Sequence, residues 1–299
     1  MWHMRIGAVE VMRVEESLGP GFDPAFLFPL YDPAVLDEHP LLAAPALFDR
    51  AAGKLMSSIH CWLLRVGDAV VLIDTCSGNG KPRSHPAFRR FSMLDTPWLE
   101  RLAACGVRPE QVTLVVNTHL HVDHVGWNTR YEGGRLVPTF PRARYLIGRD
   151  ELAHWRDPEG GPRLHPAGIE VIADSVDPVE QAGLVELIAD GDSILPGISV
   201  HAAPGHTAGQ LIVRVASQGA LGIFTADVFH QPMQMLRPEW NSCFCEVPDL
   251  AVATRRRVLR EAAESGAVVF PTHTGAPHAG RVAVAGDAFR FIPVTGVSA

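Results

Sequence analysis

A β-branched and apolar run, Val112-Thr-Leu-Val-Val116, leads into Thr118-His-Leu-His-Val-Asp-His-Val-Gly126, which places three histidines and an aspartate within six residues. No other stretch constrains the fold as much. The run reads as a buried strand, so the residues that carry chemistry begin where that strand stops, the position at which α/β sheets commonly hold their sites. On an extended backbone, residues i and i+2 share a face about 7 Å apart. That geometry would pair His119 with His121, while the neighbours Asp123 and His124 must diverge. The chain has 14 histidines, and one alone would be an ordinary surface or core residue. Four nitrogen and oxygen donors in this spacing point to a divalent metal.

The pattern recurs farther along. Leu221-Gly-Ile-Phe-Thr-Ala226 ends on Asp227, and Ala267-Val-Val-Phe270 is followed by Pro271-Thr-His273. The alternating Ile198-Ser-Val-His201 precedes Pro204-Gly205, a turn signal, and then His206. A carboxylate that closes an apolar run is costly to bury unless a cation or helix end compensates it. Ordinary core packing does not require strands that stop on candidate ligands. The seven candidates, His119, His121, Asp123, His124, His206, Asp227 and His273, are enough to hold two divalent ions around one water.

On these motifs the chain resembles the metallo-β-lactamase-fold hydrolase superfamily. The resemblance implies an α/β (α+β) fold, a four-layer αββα sandwich, formed as one domain over residues 1–299. It assigns one metal to His119, His121 and His206, the other to Asp123, His124 and His273, and makes Asp227 the bridge. Asp74, closing Val70-Val-Leu-Ile-Asp-Thr75, is similar to an early strand-end aspartate of the family that supports the metal loop without ligating. Ala203-Pro-Gly-His206-Thr-Ala-Gly-Gln210, Phe224-Thr-Ala-Asp227 and Pro271-Thr-His273-Thr-Gly resemble the later motifs. By the same resemblance, an aspartate at 227 argues against a true β-lactamase. The stretch Ala226-Asp-Val-Phe-His230-Gln-Pro-Met-Gln234 resembles the lactonase and methyl-parathion-hydrolase-like branches, with His230 standing where lactonases often carry tyrosine.

The implied chemistry follows from the metals. Zinc lowers the pKa of bound water from 15.7 to about 7, which at 1.36 kcal/mol per unit is about 12 kcal/mol in favour of hydroxide. The expected nucleophile is a metal-bridging hydroxide attacking a carboxylic ester or lactone carbonyl. Asp123 is the candidate proton shuttle, and His230 the candidate donor to the carbonyl or leaving alkoxide. Five histidines and two carboxylates suit zinc, with iron, manganese and cobalt compatible. The rival activities on the same ligand set are a glyoxalase-II-like thioesterase, an organophosphate triesterase and a mononuclear iron dioxygenase.

Composition narrows the partners. The net charge is -7, from 26 basic and 33 acidic residues, which argues against nucleic acid. The one dense basic run, Arg255-Arg-Arg257, lies in a helical stretch over 249–265 and reads as a solvated face. No segment approaches the roughly 20 apolar residues of a membrane span, and no secretory signal is visible, so cytoplasmic residence is the expectation. Five cysteines without paired spacing read as free thiols; Cys243-Phe-Cys245 has a spacing that could bind a metal, but alternate residues of a strand explain it as well and the nitrogen and oxygen ligand set is already complete. Ser58 to Asp74 reads as a hairpin about Gly67-Asp68, and 96–105 as a helix stopped by Gly106. Two segments escape simple periodicity. Residues 19–56 are apolar and proline-rich and must pack, first against their own domain, while a pocket wall for a hydrophobic substrate or a homodimer contact would use the same residues. Residues 150–178, rich in proline and glycine, suit a cap joining the halves.

Overall fold

The computed structural model describes residues 2–298, so Met1 and Ala299 of the expected span lie outside it. Two large sheets face each other. The nine-stranded sheet runs in the spatial order Val185–Ile188, Arg144–Gly148, Leu114–Asn117, Ala69–Ile73, Lys54–Val66, Val9–Pro20, Trp2–Ile6 and Val297–Ser298, with Phe48–Asp49 attached to Lys54–Val66. The seven-stranded sheet runs Ser193–Leu195, Ile198–Ala202, Leu211–Ser217, Ala220–Ala226, Val268–Pro271, Gly280–Ala285 and Ala288–Pro293. The strands that precede candidate ligands pair in parallel with a neighbour in each sheet, Ala69–Ile73 with Leu114–Asn117 and Ala220–Ala226 with Val268–Pro271. Their C-terminal ends therefore open on the same side of each sheet.

Side-chain alternation sets the layers. In Lys54–Val66, Trp62 and Leu64 point between the sheets, where they meet Val213, Phe224 and Phe270. Ile59, Cys61 and Leu63 of the same strand point outward, as the two-residue period of a strand dictates. There they are covered by Trp98 and Leu102 of the helix Trp98–Ala104, by Leu152 and Trp155 of Arg149–Arg156, and by Val171, Val176 and Val179. The outer face of the second sheet, Ile212, Ile223 and Val269, is covered by Val258, Leu259 and Ala262 of Pro248–Ser265. The result is the αββα order expected from the motifs. Trp62 ties the sheets together, with its ring 5.2 Å from Phe270 and 5.9 Å from Phe224.

The hairpin turn sits at Gly67 (φ 56°), and Gly266 (φ 66°) stops the long helix in the left-handed conformation that glycine adopts without strain. Among the described residues, no helix is long and apolar enough to cross a membrane.

Three readings need correction. Residues 118–125 do not continue the strand: they turn through bends, closed by the His124 N–H donating to the His121 carbonyl at 3.1 Å. The His119 and His121 rings meet edge to face with centroids 4.7 Å apart. Arg255 does not belong to a solvated face. It is 1% exposed and donates to the Val228 and Pro238 carbonyls and to Asn241 Oδ1, while Arg257 stays exposed. Cys243 and Cys245 lie in irregular backbone, not on a strand, and all five cysteines are free thiols.

The two irregular segments condense into short helices. Residues 19–56 hold Pro24–Leu27 and Ala34–Glu38, and bury Leu27, Phe28, Val35 and Leu42 against Met233 and Trp240. Residues 150–178 pack onto the outer face of the first sheet through Trp155 and Val171.

Candidate metal centre

All seven candidate donors converge at one end of the sandwich. His119, His121 and His206 place one donor atom each within 4.8 Å of one another, and so do Asp123, His124 and His273. Asp227, at the end of Ala220–Ala226, lies between the two triples. Its Oδ2 is 3.3 Å from His206 Nε2 and 3.9 Å from His119 Nε2. Its Oδ1 is 3.4 Å from His124 Nε2 and 3.2 Å from His273 Nε2. His206 Nε2 and His121 Nδ1 are 3.0 Å apart, and His273 Nε2 lies 3.7 Å from Asp123 Oδ2.

The inward-facing nitrogens are selected by what the opposite nitrogens touch. Asp74 Oδ2 accepts from His124 Nδ1 at 2.8 Å, while Asp74 Oδ1 accepts from the Thr118 backbone N–H at 2.8 Å. One carboxylate thus fixes both the His124 ring and the start of the motif loop, the supporting role that the motif resemblance implies. His273 Nδ1 lies 3.1 Å from the Ser58 carbonyl, so its Nε2 is the nitrogen left for the centre. Gly126 lets the loop close: its N–H donates to the Cys76 carbonyl at 2.6 Å, and a Cβ there would fall 1.9 Å from Ser77.

The donor set fits divalent ions. His119 Nε2, His124 Nε2 and Asp227 Oδ1 are buried without a hydrogen-bond partner, an arrangement that is costly unless a cation completes it. Donors sharing one zinc ion at bonds of about 2.0–2.1 Å lie about 3.3 Å apart, and the spacings above bracket that value. Burial pushes the His119 and His206 imidazoles well below the usual histidine value, so they present neutral nitrogens. Burial opposes the charge of Asp227, yet His273, His124 and His230 hold its carboxyl well below the usual range.

His230 joins the centre. Its Nε2 is 3.2 Å from Asp227 Oδ2, its Nδ1 is buried without a partner, and its ring stacks 5.3 Å from His273. The centre forms the floor of a cleft enclosing about 780 Å³, part of it open to solvent. Residues 19–56 supply Phe22, Leu27 and Leu55 to its walls, and 150–178 supply His165.

Several contributors carried no local signal. Phe88, Arg90 and Phe91 come from the short helical turn Pro86–Phe91, and Phe244 from the loop between the two cysteines. Glu151 is the most consequential. It is 1% exposed, and its Oε1 accepts from the Leu120 N–H at 2.9 Å and Trp155 Nε1 at 3.0 Å. Its Oε2 accepts from Thr207 Oγ1 at 2.7 Å and the Gly209 N–H at 3.1 Å. Leu120 lies between His119 and His121, and Thr207 follows His206, so one carboxylate staples the whole first triple. Beside it, Glu246 Oε2 is 3.0 Å from His154 Nε2, and its Oε1 is 3.5 Å from His165 Nε2.

Comparison with known proteins places this arrangement in a family. The chain belongs to the metallo-beta-lactamase superfamily, whose model matches residues 57–273. Metallo-beta-lactamase domain-containing protein 1 of Mus musculus is 32% identical over 216 residues, covering 69% of this chain and 67% of the mouse protein. An N-acyl homoserine lactonase of Bacillus cereus is 24% identical over 193 residues, covering 58% of this chain and 66% of the lactonase. Among solved structures, the hydrolase AbOPH superposes with a TM-score of 0.81 at 23% identity, covering 99% of this chain and 98% of AbOPH. AidC, described as a dizinc quorum-quenching lactonase, superposes with a TM-score of 0.78 at 20% identity over 99% of this chain and 98% of AidC. Family membership and the convergent donors together support a metal-dependent hydrolase.

Proposed function

We propose that this chain is a dinuclear metal-dependent hydrolase of hydrophobic carboxylic esters or lactones. The observation that carries the reading is the pair of donor triples, joined by the two oxygens of Asp227, on the floor of an apolar-walled cleft. Divalent ions held there, zinc first by donor chemistry, supply Lewis-acid polarisation of a carbonyl and an acidified water at neutral pH.

The chain's own residues do the rest. Asp74 and the Ser58 carbonyl orient His124 and His273 through their Nδ1 atoms, so the donor geometry is set before any ligand arrives. Phe22, Leu27, Leu55 and Phe244 take the substrate's apolar body and exclude water from the reacting carbonyl. Asp123, whose side chain is 17% exposed against 4% for Asp227, is the carboxylate that substrate can reach. It accepts the proton of the attacking water and returns it to the leaving alkoxide. His230 faces the centre through its Nε2, 3.2 Å from Asp227 Oδ2, and that nitrogen is the donor to a substrate oxygen. The names of two relatives, the Bacillus cereus lactonase and AidC, support cyclic esters among the hydrolysable bonds.

The test is elemental analysis of protein purified without added metal, with the same sample assayed on lactones, aryl esters, thioesters and phosphotriesters. About two ions per chain and chelator-sensitive cleavage of esters or lactones are expected. One iron per chain with oxygen consumption and no hydrolysis would overturn the reading, and cleavage of thioesters alone would replace the substrate class. An Asp123→Asn variant that keeps both metals and full turnover would remove the shuttle. Unchanged kinetics in His230→Phe would remove that donor.

A further inference from the structure

The cleft is apolar on its walls and rich in metal donors on its floor, and one side chain belongs to neither group. Arg90 is the single arginine or lysine among the lining residues. Its guanidinium carbon lies 4.8 Å from the centre of the Phe22 ring and 5.2 Å from that of Phe91. Both rings fall within the roughly 6 Å over which an aromatic face attracts a cation. The contacts hold a flexible side chain in one place and turn a planar fork of N–H donors toward the cleft.

Among the described residues, Arg90 has no hydrogen-bond acceptor and no carboxylate at ion-pair distance. Arg90 is exposed where it lies against the two rings, whereas the more buried arginines are each paired. Arg83 is paired with Asp174, Arg13 with Glu15, and Arg255 with two carbonyls and Asn241. The carboxylate whose charge acts on Arg90 is Asp123, and Asp123 faces His124 and His273 in the metal centre. Arg90 is exposed to solvent along the cleft, and with Asp123 committed to the metal centre its guanidinium is free to take an anion from outside the chain.

We propose that Arg90 is an anion subsite, and that the preferred substrates are hydrophobic esters or lactones carrying a carboxylate at the end remote from the reacting carbonyl. The proposal rests on the hydrolase reading of the metal centre. A carboxylate is the group that fits: its two oxygens match the guanidinium fork in the plane, and its charge cancels the cation between the rings. A neutral carbonyl in the same place would take a hydrogen bond and leave the charge unpaired. Arg90 is then a specificity residue that sets which end of the substrate enters last, while the apolar walls hold the chain between.

The test compares two aryl esters of equal length, one an aryl half-ester of a straight-chain dicarboxylic acid, the other the aryl ester of the matching alkanoic acid. The metal-loaded wild type is measured beside Arg90→Met and Arg90→Lys, with metal content confirmed for each. In Arg90→Met, the ratio of kcat/KM for the half-ester over that for the alkanoate falls about ten- to hundredfold, chiefly through KM, and Arg90→Lys recovers part of it. A ratio that does not move in Arg90→Met overturns the subsite even if both activities drop together, because a structural role lowers both alike. If neither ester is cleaved, the hydrolase reading falls first. Titration of the straight-chain dicarboxylate into the same holoproteins then decides the subsite: tighter binding to wild type than to Arg90→Met upholds it, and equal binding overturns it.

Discussion

Replacing Glu151 with glutamine tests whether one buried carboxylate holds the first ligand triple together. The carboxylate serves four donors, two on each oxygen. Glutamine keeps one acceptor oxygen and turns an NH2 toward the other pair. The amide can face its NH2 to Thr207, whose hydroxyl reverses to accept, but the neighbouring Gly209 N–H then loses its partner. One orphaned buried donor costs about 1–3 kcal/mol, and the surviving bonds drop from charged to neutral acceptors. The relief of a buried charge offsets part of this, since burial pushes the Glu151 carboxyl up from its usual value against the pull of Thr207, Leu120 and Trp155. The expected net loss is about 2–3 kcal/mol in urea unfolding of the metal-loaded protein, a large share of the roughly 5–15 kcal/mol that holds a typical protein folded. A second effect is more specific. With Leu120 and Thr207 no longer tied to one group, His119 and His121 loosen from His206, and metal affinity falls about ten- to hundredfold, read by dialysis against buffered free zinc. Thr207→Val, which removes one donor of the four, is the milder control. Glu151→Gln with unfolding within about 0.5 kcal/mol of wild type and unchanged zinc retention would refute the staple.

Asp74→Asn should leave the fold intact and lower the metal count from about two toward one. The amide NH2 would donate to His124 Nδ1 and shift the ring proton to the inward Nε2, so elemental analysis at limiting zinc reads the loss directly. Gly126→Ala should destabilise by about 1–3 kcal/mol in a denaturant melt, because its Cβ would meet Ser77 backbone at 1.9 Å; an unchanged midpoint would show that the loop has room. The buried Lys81 amine, pushed down to about 8 by burial, donates to the Gly126 carbonyl, Thr129 and Ser175. Its folded-state pKa lies below the unfolded value, so between pH 8 and 10.5 the unfolded chain holds the extra proton and stability rises with pH. The wild-type advantage over Lys81→Met should grow across that window by up to about 1.4 kcal/mol per pH unit, and a flat difference would place the lysine's pKa at its ordinary value.

What the sequence disclosed and what it hid divide along a physical line. The donors were legible because each follows a strand that the residue pattern marks by itself, at Asn117, Ala202, Ala226 and Pro271. The strand end then fixes where the next few residues must lie. Glu151 had no such signature: its partners Leu120 and Thr207 are 31 and 56 residues away, and a glutamate opening a helix is ordinary in any sequence. Arg90 was hidden for the same reason, since Phe22 reaches it from a distant segment. Arg255 is different, because the signal was present and a weaker one displaced it. The buried positions Ala251, Arg255, Val258 and Ala262 of Pro248–Ser265 step by four, three and four, the spacing of one helix face. A charge at such a position is a demand for acceptors, and the loop that follows Asp227 and His230 meets it with the Val228 and Pro238 carbonyls. The arginine therefore fastens the long helix to the segment that carries the bridging aspartate, and helical position outranks charge in deciding what such a residue does.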